Sequence, residues 1–398
     1  MFKEIKELSK KEWILILSLF ILSELLILTS AGIGSFVPSS IGQRHNVVQN
    51  SFLNLFAQYD SESYLDIAKN GYNANYKEIG NYNHYPVYPL LVFLLGFFLS
   101  IPLAAFLVSN ISFALAIFFL YLLLKKDFSI SVSQKTIFLL LFFPTAYFFS
   151  MMYVESLILL FIVLFFYFAR QKNWFLVGLF GFLASMTKAF GFSLVIPAVY
   201  LYLKEKDILE GWNIKWENIK NIDYHCLYVL AIPLGFILFL SYLFYLTGDP
   251  FIHFKLHSYY SASLTFPFVS IFHEIGLLQK SIVHGVFQGA LYHILNVGLN
   301  FLFIFLVFLS FQKMKVEYSL YTASFGIILY MHESLESNLR FFLLFFPVFA
   351  TLSLLSEKKW VRYLVNTCYI GFVFLLILLV IRHVNYDINY VSIAKQIF

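Results

Sequence analysis

The sequence predicts an all-α polytopic membrane protein, and three observations lead there. Of the 398 residues, 60% are hydrophobic and only 12% charged, against roughly 25% charged in soluble domains. Apolar runs follow one another along almost the whole chain, and basic residues gather in the turns between them. A water-soluble globule of this length needs more polar surface than 27 Lys and Arg with 22 Asp and Glu supply. A soluble enzyme with a membrane tail and a nucleic-acid binder are therefore excluded. Cys226 and Cys368 are the only cysteines, so no disulfide framework exists either. The 50 Phe and 27 Tyr suit a lipid-facing surface with aromatic belts at both interfaces.

In chain order, Lys3, Lys6, Lys10 and Lys11 precede an apolar run from Trp13 to Gly34 that is long enough to span. Ser30, Ala31 and Gly32 mimic a cleavage site, but the run is too long for a signal-peptide core, so it reads as an uncleaved signal anchor. The positive-inside rule then places the N-terminus in the cytoplasm and residue 35 outside. Residues 35–85 form a first external loop holding Arg44, His45, Asp60, Glu62 and Asp66. Phe52, Leu55, Phe56, Tyr59, Leu65 and Ile67 are spaced as in short amphipathic helices lying on the membrane surface.

Hydrophobic segments follow near 87–100, 102–124, 136–151, 154–169, 174–187, 190–203, 226–246, 286–311, 318–331, 340–355 and 362–381. Several are shorter than a full span, and the expected bundle has about 10–12 hydrophobic helices. Lys125 and Lys126, Arg170 and Lys172, Lys204 to Lys220, Lys313 and Lys315, and Lys358 to Arg362 mark cytoplasmic turns. Residues 247–285 become a second external loop. One conflict stands: two short helices within 86–124 put Lys125 outside, against the charge rule. No internal repeat is visible, and residues 1–398 read as a single integral membrane domain.

The external segments collect Asp60, Glu62, His84, Glu155, Asp249, His253, Glu333, Glu336 and Arg340. Ionisable groups at membrane depth are costly and mark either function or a structural pair. Asp60 reads as a general base at the interface, or as a helix-start Asp beside Ser61 and Glu62. Glu155, between two apolar runs, needs a partner or water, unless it is a loop residue at the interface. Lys188 offers a point charge for a phosphate, or is a snorkelling turn lysine. Arg340 offers a planar fork for an anion, or is an interfacial anchor. Glu24 lies inside the first span and needs a partner. His253 and His257 stand four apart with no third ligand, so no metal site is expected. No P-loop, GxGxxG, Gly-x-Ser-x-Gly or cation-filter element occurs.

The blocks YDSESYLDIAKNGY, HYPVYPLLVFLLG, FFPTAYFFSMMYVESLILL, LASMTKAFGFSLVIPAVYLYL, TGDPFIHF and ESNLRFFLLFFPVF occur in that order between about residues 55 and 350. Together they resemble the PIG-V-type mannosyltransferases of the GT-C glycosyltransferase superfamily. Tyr59 stands where that family usually has Trp, His84-Tyr85-Pro86 replaces Phe-Phe-Pro, Lys188 takes the place of Arg, and Asn338-Leu339-Arg340-Phe341 replaces a Pro-Arg-Tyr motif. The resemblance implies a GT-C-type bundle and inverting transfer of a hexose, with mannose as the sugar, on the external or luminal face. It implies a polyprenyl-phosphate-linked donor, a lipid or glycan acceptor, surrounding membrane lipids and no cofactor. Asp60 is then the catalytic residue, and Glu62, His84, Tyr85, Glu155, Lys188, Asp249 and Arg340 are the substrate-binding candidates. The membrane would be the plasma membrane in a prokaryote or the endoplasmic reticulum in a eukaryote. A transporter or flippase, which would need related halves and a central path, and a non-catalytic GT-C-like subunit are the alternatives.

Overall fold

The computed structural model describes residues 8–37, 46–75, 80–259, 263–335 and 337–385. Lys3, Lys6, Arg44, His45 and Glu336 lie outside the described residues, as do the side chains of residues 257–259 and 288. Among the described residues, apart from one two-stranded hairpin, Leu209–Glu210 with Asn213–Ile214, the regular structure is helical.

Five described helices are long and apolar enough to cross a membrane: Lys10–Phe36, Ile101–Asp127, Cys226–Thr247, Gly289–Lys313 and Lys359–Val384. A sixth is counted if Asn338–Leu344 and Phe346–Leu355, bent by 77°, form one broken span. The protein is thus the expected all-α, multi-pass membrane protein. The remaining hydrophobic segments are helices too, but short ones, such as Ile130–Leu141, Glu155–Ala169 and Trp174–Ser185. A 15-residue helix rises only about 22 Å, less than the roughly 30 Å apolar core of a bilayer.

The described residues group into two compact units, one within Met1–Gly71, Val87–Val163 and Leu355–Phe398, the other within Tyr72–Pro86 and Leu164–Leu354. In the first unit, Ser9 and Glu12 form a reciprocal capping box that starts the Lys10–Phe36 helix. The Glu12 carboxylate also takes the Lys125 ammonium at 2.7 Å and the Tyr121 hydroxyl at 2.8 Å. The start of the first span therefore sits beside the end of the Ile101–Asp127 span. This removes the conflict over residues 86–124. Val87–Leu95 has nine residues and rises about 14 Å, too little to cross; one full-length helix follows it, and Lys125 returns to the face of the N-terminal lysines. At the other end of the first span, a Cβ on Gly34 would lie 3.1 Å from the Ile381 Cα, so the Lys359–Val384 span ends there. Between the two ends, Glu24 accepts a hydrogen bond from the Ser150 hydroxyl at 2.7 Å, which supplies its partner.

In the second unit, Trp174–Ser185 packs on Cys226–Thr247 at very short range. A Cβ on Gly178 would meet the Tyr228 carbonyl oxygen at 2.6 Å. Small residues of this kind let two membrane helices approach closely and gain dispersion contact. Arg170 pairs with Glu317 at 2.6 Å with both side chains largely buried. The Val269–Val283 helix, absent from the sequence reading of 247–285 as a loop, precedes the Phe287–Lys313 helix.

Candidate functional site

The first unit builds its polar centre around Asp60. Asp60 opens the Asp60–Asn70 helix, directly after Tyr59, whose backbone has φ 54° and ψ −117°. A bulky residue with positive φ is a genuine conformational outlier, costing on the order of 1–3 kcal/mol, and persists only where its surroundings over-determine it. The restraint is visible. The Tyr153 hydroxyl donates to the Gln58 carbonyl at 3.0 Å and accepts from the Asp60 amide at 3.1 Å, so one phenol bridges both sides of Tyr59. The Met152 amide adds a bond to the Phe56 carbonyl at 2.9 Å. The Tyr59 ring lies 4.9 Å from that of His383.

Tyr153 is itself fixed. Its carbonyl accepts from the Ser109 hydroxyl at 3.0 Å, and Ser109 is bonded to the Tyr88 hydroxyl at 2.8 Å. Tyr88, Ser109 and Tyr153 are all essentially inaccessible. Glu155, fully buried, starts the Glu155–Ala169 helix two residues after Tyr153. Asp60 and Tyr153, 93 residues apart, thus join two of the family-like blocks, YDSESYLDIAKNGY and the Tyr-x-Glu-Ser motif Tyr153-Val154-Glu155-Ser156, in one hydrogen-bonded cluster. Asp60 is half-buried at the opening of a helix, where the helix dipole favours nearby negative charge. Glu62 is half-buried in the same turn, its amide bonded to the Tyr59 carbonyl at 3.1 Å. Ser61 Oγ and Ser156 Oγ, each next to a candidate carboxylate, are buried with no hydrogen-bond partner among the described residues.

The second unit gathers cations on one ring. Lys188 Nζ lies 4.3 Å from the centre of Phe341, and Arg340 Cζ lies 4.9 Å from the same centre. Phe341 is held edge-on against Phe190 at 4.9 Å. Lys188 sits in extended backbone between the Trp174–Ser185 helix and the 3-10 turn Ala189–Leu194. That tight return depends on Gly191: a Cβ there would fall 2.1 Å from the Ala184 carbonyl carbon. Cations over an aromatic face gain electrostatically from the ring quadrupole.

His84 and Tyr85 belong to the same unit and join a different cluster. Tyr85 packs on Phe239 at 4.3 Å and lies edge-on to His253 at 5.1 Å. Its hydroxyl is buried with no hydrogen-bond partner among the described residues, and burial pushes the phenol up. The His84 carbonyl accepts from the Tyr72 hydroxyl at 2.6 Å. Asp249 is engaged in its own turn: it takes the Lys255 ammonium and accepts from the Phe251 amide at 2.9 Å. Among the described residues no group of three or more His, Cys, Asp or Glu is placed to hold a metal.

Of the candidates named from sequence, Asp60, Glu62 and Glu155 thus fall in the first unit, and His84, Tyr85, Lys188, Asp249 and Arg340 in the second. Sequence reasoning left out Tyr153, Gln58 and Phe341. The only sequence signal for Tyr153 was its place in the Tyr-x-Glu-Ser motif.

No protein-family model and no curated protein matches the chain. Among solved structures, the fold is similar to that of ArnT from Cupriavidus metallidurans bound to undecaprenyl phosphate. The TM-score is 0.54 at 11% identity, covering 91% of this chain and 64% of that one. The Archaeoglobus fulgidus oligosaccharyltransferase in complex with Zn and sulfate scores 0.49 at 13% identity, over 93% of this chain and 53% of its own. An archaeal oligosaccharyltransferase, AglB from the same organism, with an inhibitory peptide and a dolichol-phosphate, scores 0.45 at 11% identity. The likeness to ArnT is one of fold, and it is in keeping with the all-α, multi-pass membrane architecture described above. The chain spans between 53% and 64% of the length of the first two of these proteins.

Proposed function

We propose that this protein is a membrane glycosyltransferase that moves a hexose, mannose by its resemblance to PIG-V-type enzymes, from a polyprenyl-phosphate donor to a hydroxyl of a lipid or glycan acceptor. The observation that carries the reading is the junction of the Asp60 turn with the Tyr-x-Glu-Ser motif through the Tyr153 hydroxyl. A strained turn that is held in place and presents a carboxylate is the mark of a working site. The fold likeness to ArnT, a protein bound to undecaprenyl phosphate, is in keeping with a lipid-linked donor.

The chemistry follows from the donor. A polyprenyl phosphate is a good leaving group, so no strong general acid is required. This separates the reaction from glycoside hydrolysis, which needs a carboxylate pair. Asp60 takes the proton of the acceptor hydroxyl as its oxygen bonds to the anomeric carbon. The bond from that carbon to the phosphate oxygen breaks, and polyprenyl phosphate leaves with the electron pair. Single displacement inverts the anomeric centre. Lys188 and Arg340 take the negative charge that grows on the phosphate, Lys188 as a point charge and Arg340 as a fork. Glu155 and Glu62 orient sugar or acceptor hydroxyls, and the unpartnered Tyr85 phenol is a further donor for a substrate oxygen. The lipid tail of the donor stays in the bilayer throughout, which is why the catalyst is a membrane protein.

The test is to incubate membranes containing the protein with radiolabelled polyprenyl-phosphate mannose, and in parallel with the glucose-linked donor. The expected result is label moved to an acceptor from the mannose donor. Release of free sugar only, or no turnover of either donor, would overturn the reading.

A further inference from the structure

The Phe287–Lys313 helix carries a buried polar stripe that the proposed chemistry does not use. His293, Asn296 and Asn300 fall at intervals of three and four, hence on one face. All three are buried, Asn300 completely. Glu274, from the Val269–Val283 helix, accepts from Asn296 Nδ2 at 2.8 Å, with His293 Nδ1 at 2.8 Å on the same carboxylate oxygen. Asn300 Nδ2 donates to the Asn296 carbonyl at 2.8 Å. Its own Oδ1 accepts from the Tyr330 hydroxyl at 3.0 Å and from Asn338 Nδ2 at 3.2 Å. Polar side chains in a membrane-spanning helix are costly to bury and are kept where they bind helices together or serve function.

The stripe ends at the turn that carries Arg340. Asn338 and Phe342 bracket Arg340 at equal sequence distance, and both are gripped by this one helix. Asn338 is bonded to Asn300, and Phe342 stacks face to face on Phe303 at 3.8 Å, with the planes 3° apart. Phe303 follows Asn300 by three residues, so the polar bond and the stack come from one face. We propose that Asn300, backed by Asn296, His293 and Glu274, is a positioning residue that sets the Asn338–Phe341 turn and so aims the Arg340 guanidinium. The inference rests on the reading that Arg340 takes the donor phosphate, but its geometric content is independent of that reading. Asn300 does not touch the substrate; it acts through Asn338.

The experiment has two readouts on the full-length protein in detergent. The first needs no donor. Phenylglyoxal modification of each arginine is followed by peptide mass spectrometry, with Arg170, which is paired to Glu317, as the internal reference. Asn300→Leu, similar in volume but unable to hydrogen-bond, should change the Arg340 modification rate several-fold while Arg170 is unaffected. Asn338→Ala, which removes the same bond from the loop side, should do the same and decides the question if Asn300→Leu does not fold. An unchanged Arg340 rate in a folded variant overturns the proposal. The second readout is transfer. Each variant should lose about ten- to hundredfold in kcat/KM, the scale of a displaced binding group. The double variant Arg340→Ala with Asn338→Ala should be no worse than Arg340→Ala alone. Additive losses would mean that Asn338 acts independently of Arg340, and would overturn it. If the parent protein transfers no sugar, the functional reading fails, while the modification rates still decide the positioning claim.

Discussion

Replacing Tyr153 by Phe removes one oxygen and leaves the ring. That ring is essentially inaccessible and lies edge-on to Phe148 at 5.2 Å and to Tyr64 at 6.5 Å, contacts that Phe retains. What goes is the hydroxyl's bond to the Gln58 carbonyl and its bond from the Asp60 amide. Each is worth about 1 kcal/mol net, and a backbone group left buried without a partner costs about 1–3 kcal/mol. The loss, about 2 kcal/mol, is of the same size as the on the order of 1–3 kcal/mol stored in the positive-φ backbone of Tyr59. With its bridge gone, the turn relaxes toward an ordinary conformation and the Asp60 carboxylate moves. A displacement near 1 Å lowers a rate by about a hundredfold. Thermal unfolding in detergent should therefore show a modest loss of stability, and sugar transfer at matched protein amounts should fall about a hundredfold. Near-normal transfer by Tyr153→Phe would refute the idea that this phenol holds the site.

Three further outcomes are expected. Gly191→Ala forces a Cβ into the Ala184 backbone, which displaces the Lys188 turn; donor KM should rise about tenfold or more, and an unchanged KM would detach Lys188 from the donor. Lys255 beside Asp249, with the Phe251 amide, holds its carboxyl below the usual carboxylate range. Because the folded value is the lower one, the contribution exists at neutral pH and fades as pH falls through it; Asp249→Asn should lower Tm slightly at about pH 7, less at about pH 3, and leave transfer near normal. Transfer should survive chelation with EDTA, since Lys188 and Arg340 supply the positive charge for the phosphate; complete loss restored by magnesium or manganese would replace them with a metal ion.

The order of the hydrophobic helices was readable because lipid demands long apolar runs, and their ends are marked by lysines and arginines. Cys226–Thr247 and Lys359–Val384 lie within a few residues of the expected segments. The Val269–Val283 helix was missed because His273, Glu274, Gln279 and Lys280 dilute its apolar face, so it reads as loop by hydropathy. Residues 87–127 were divided close to the observed break, as 87–100 and 102–124. Continuous hydrophobicity hid that the first helix stops at Leu95, too short to cross, while the full span starts at Ile101. Asp60 stands out as a candidate through its motif. The Tyr153 bridge was not, since it joins backbone atoms across 93 residues and leaves no spacing pattern. The convergence of Lys188 and Arg340 on Phe341 was hidden too, because many phenylalanines in this chain have the same local context.

The central claim is that Asp60 is the base for sugar transfer from a polyprenyl-phosphate donor, and the direct measurement is that transfer by Asp60→Asn. Asn keeps the size of the side chain and most of its hydrogen bonding and removes the ability to accept a proton. The variant should insert and fold, since a negative charge in the first turn of a helix contributes only about 0.3–1 kcal/mol. Transfer of radiolabelled hexose at matched protein amounts should fall by about 10²–10⁴-fold, while Glu62→Gln, measured alongside, is milder. Near-normal transfer by Asp60→Asn, with loss instead in Glu62→Gln or Glu155→Gln, would contradict the account.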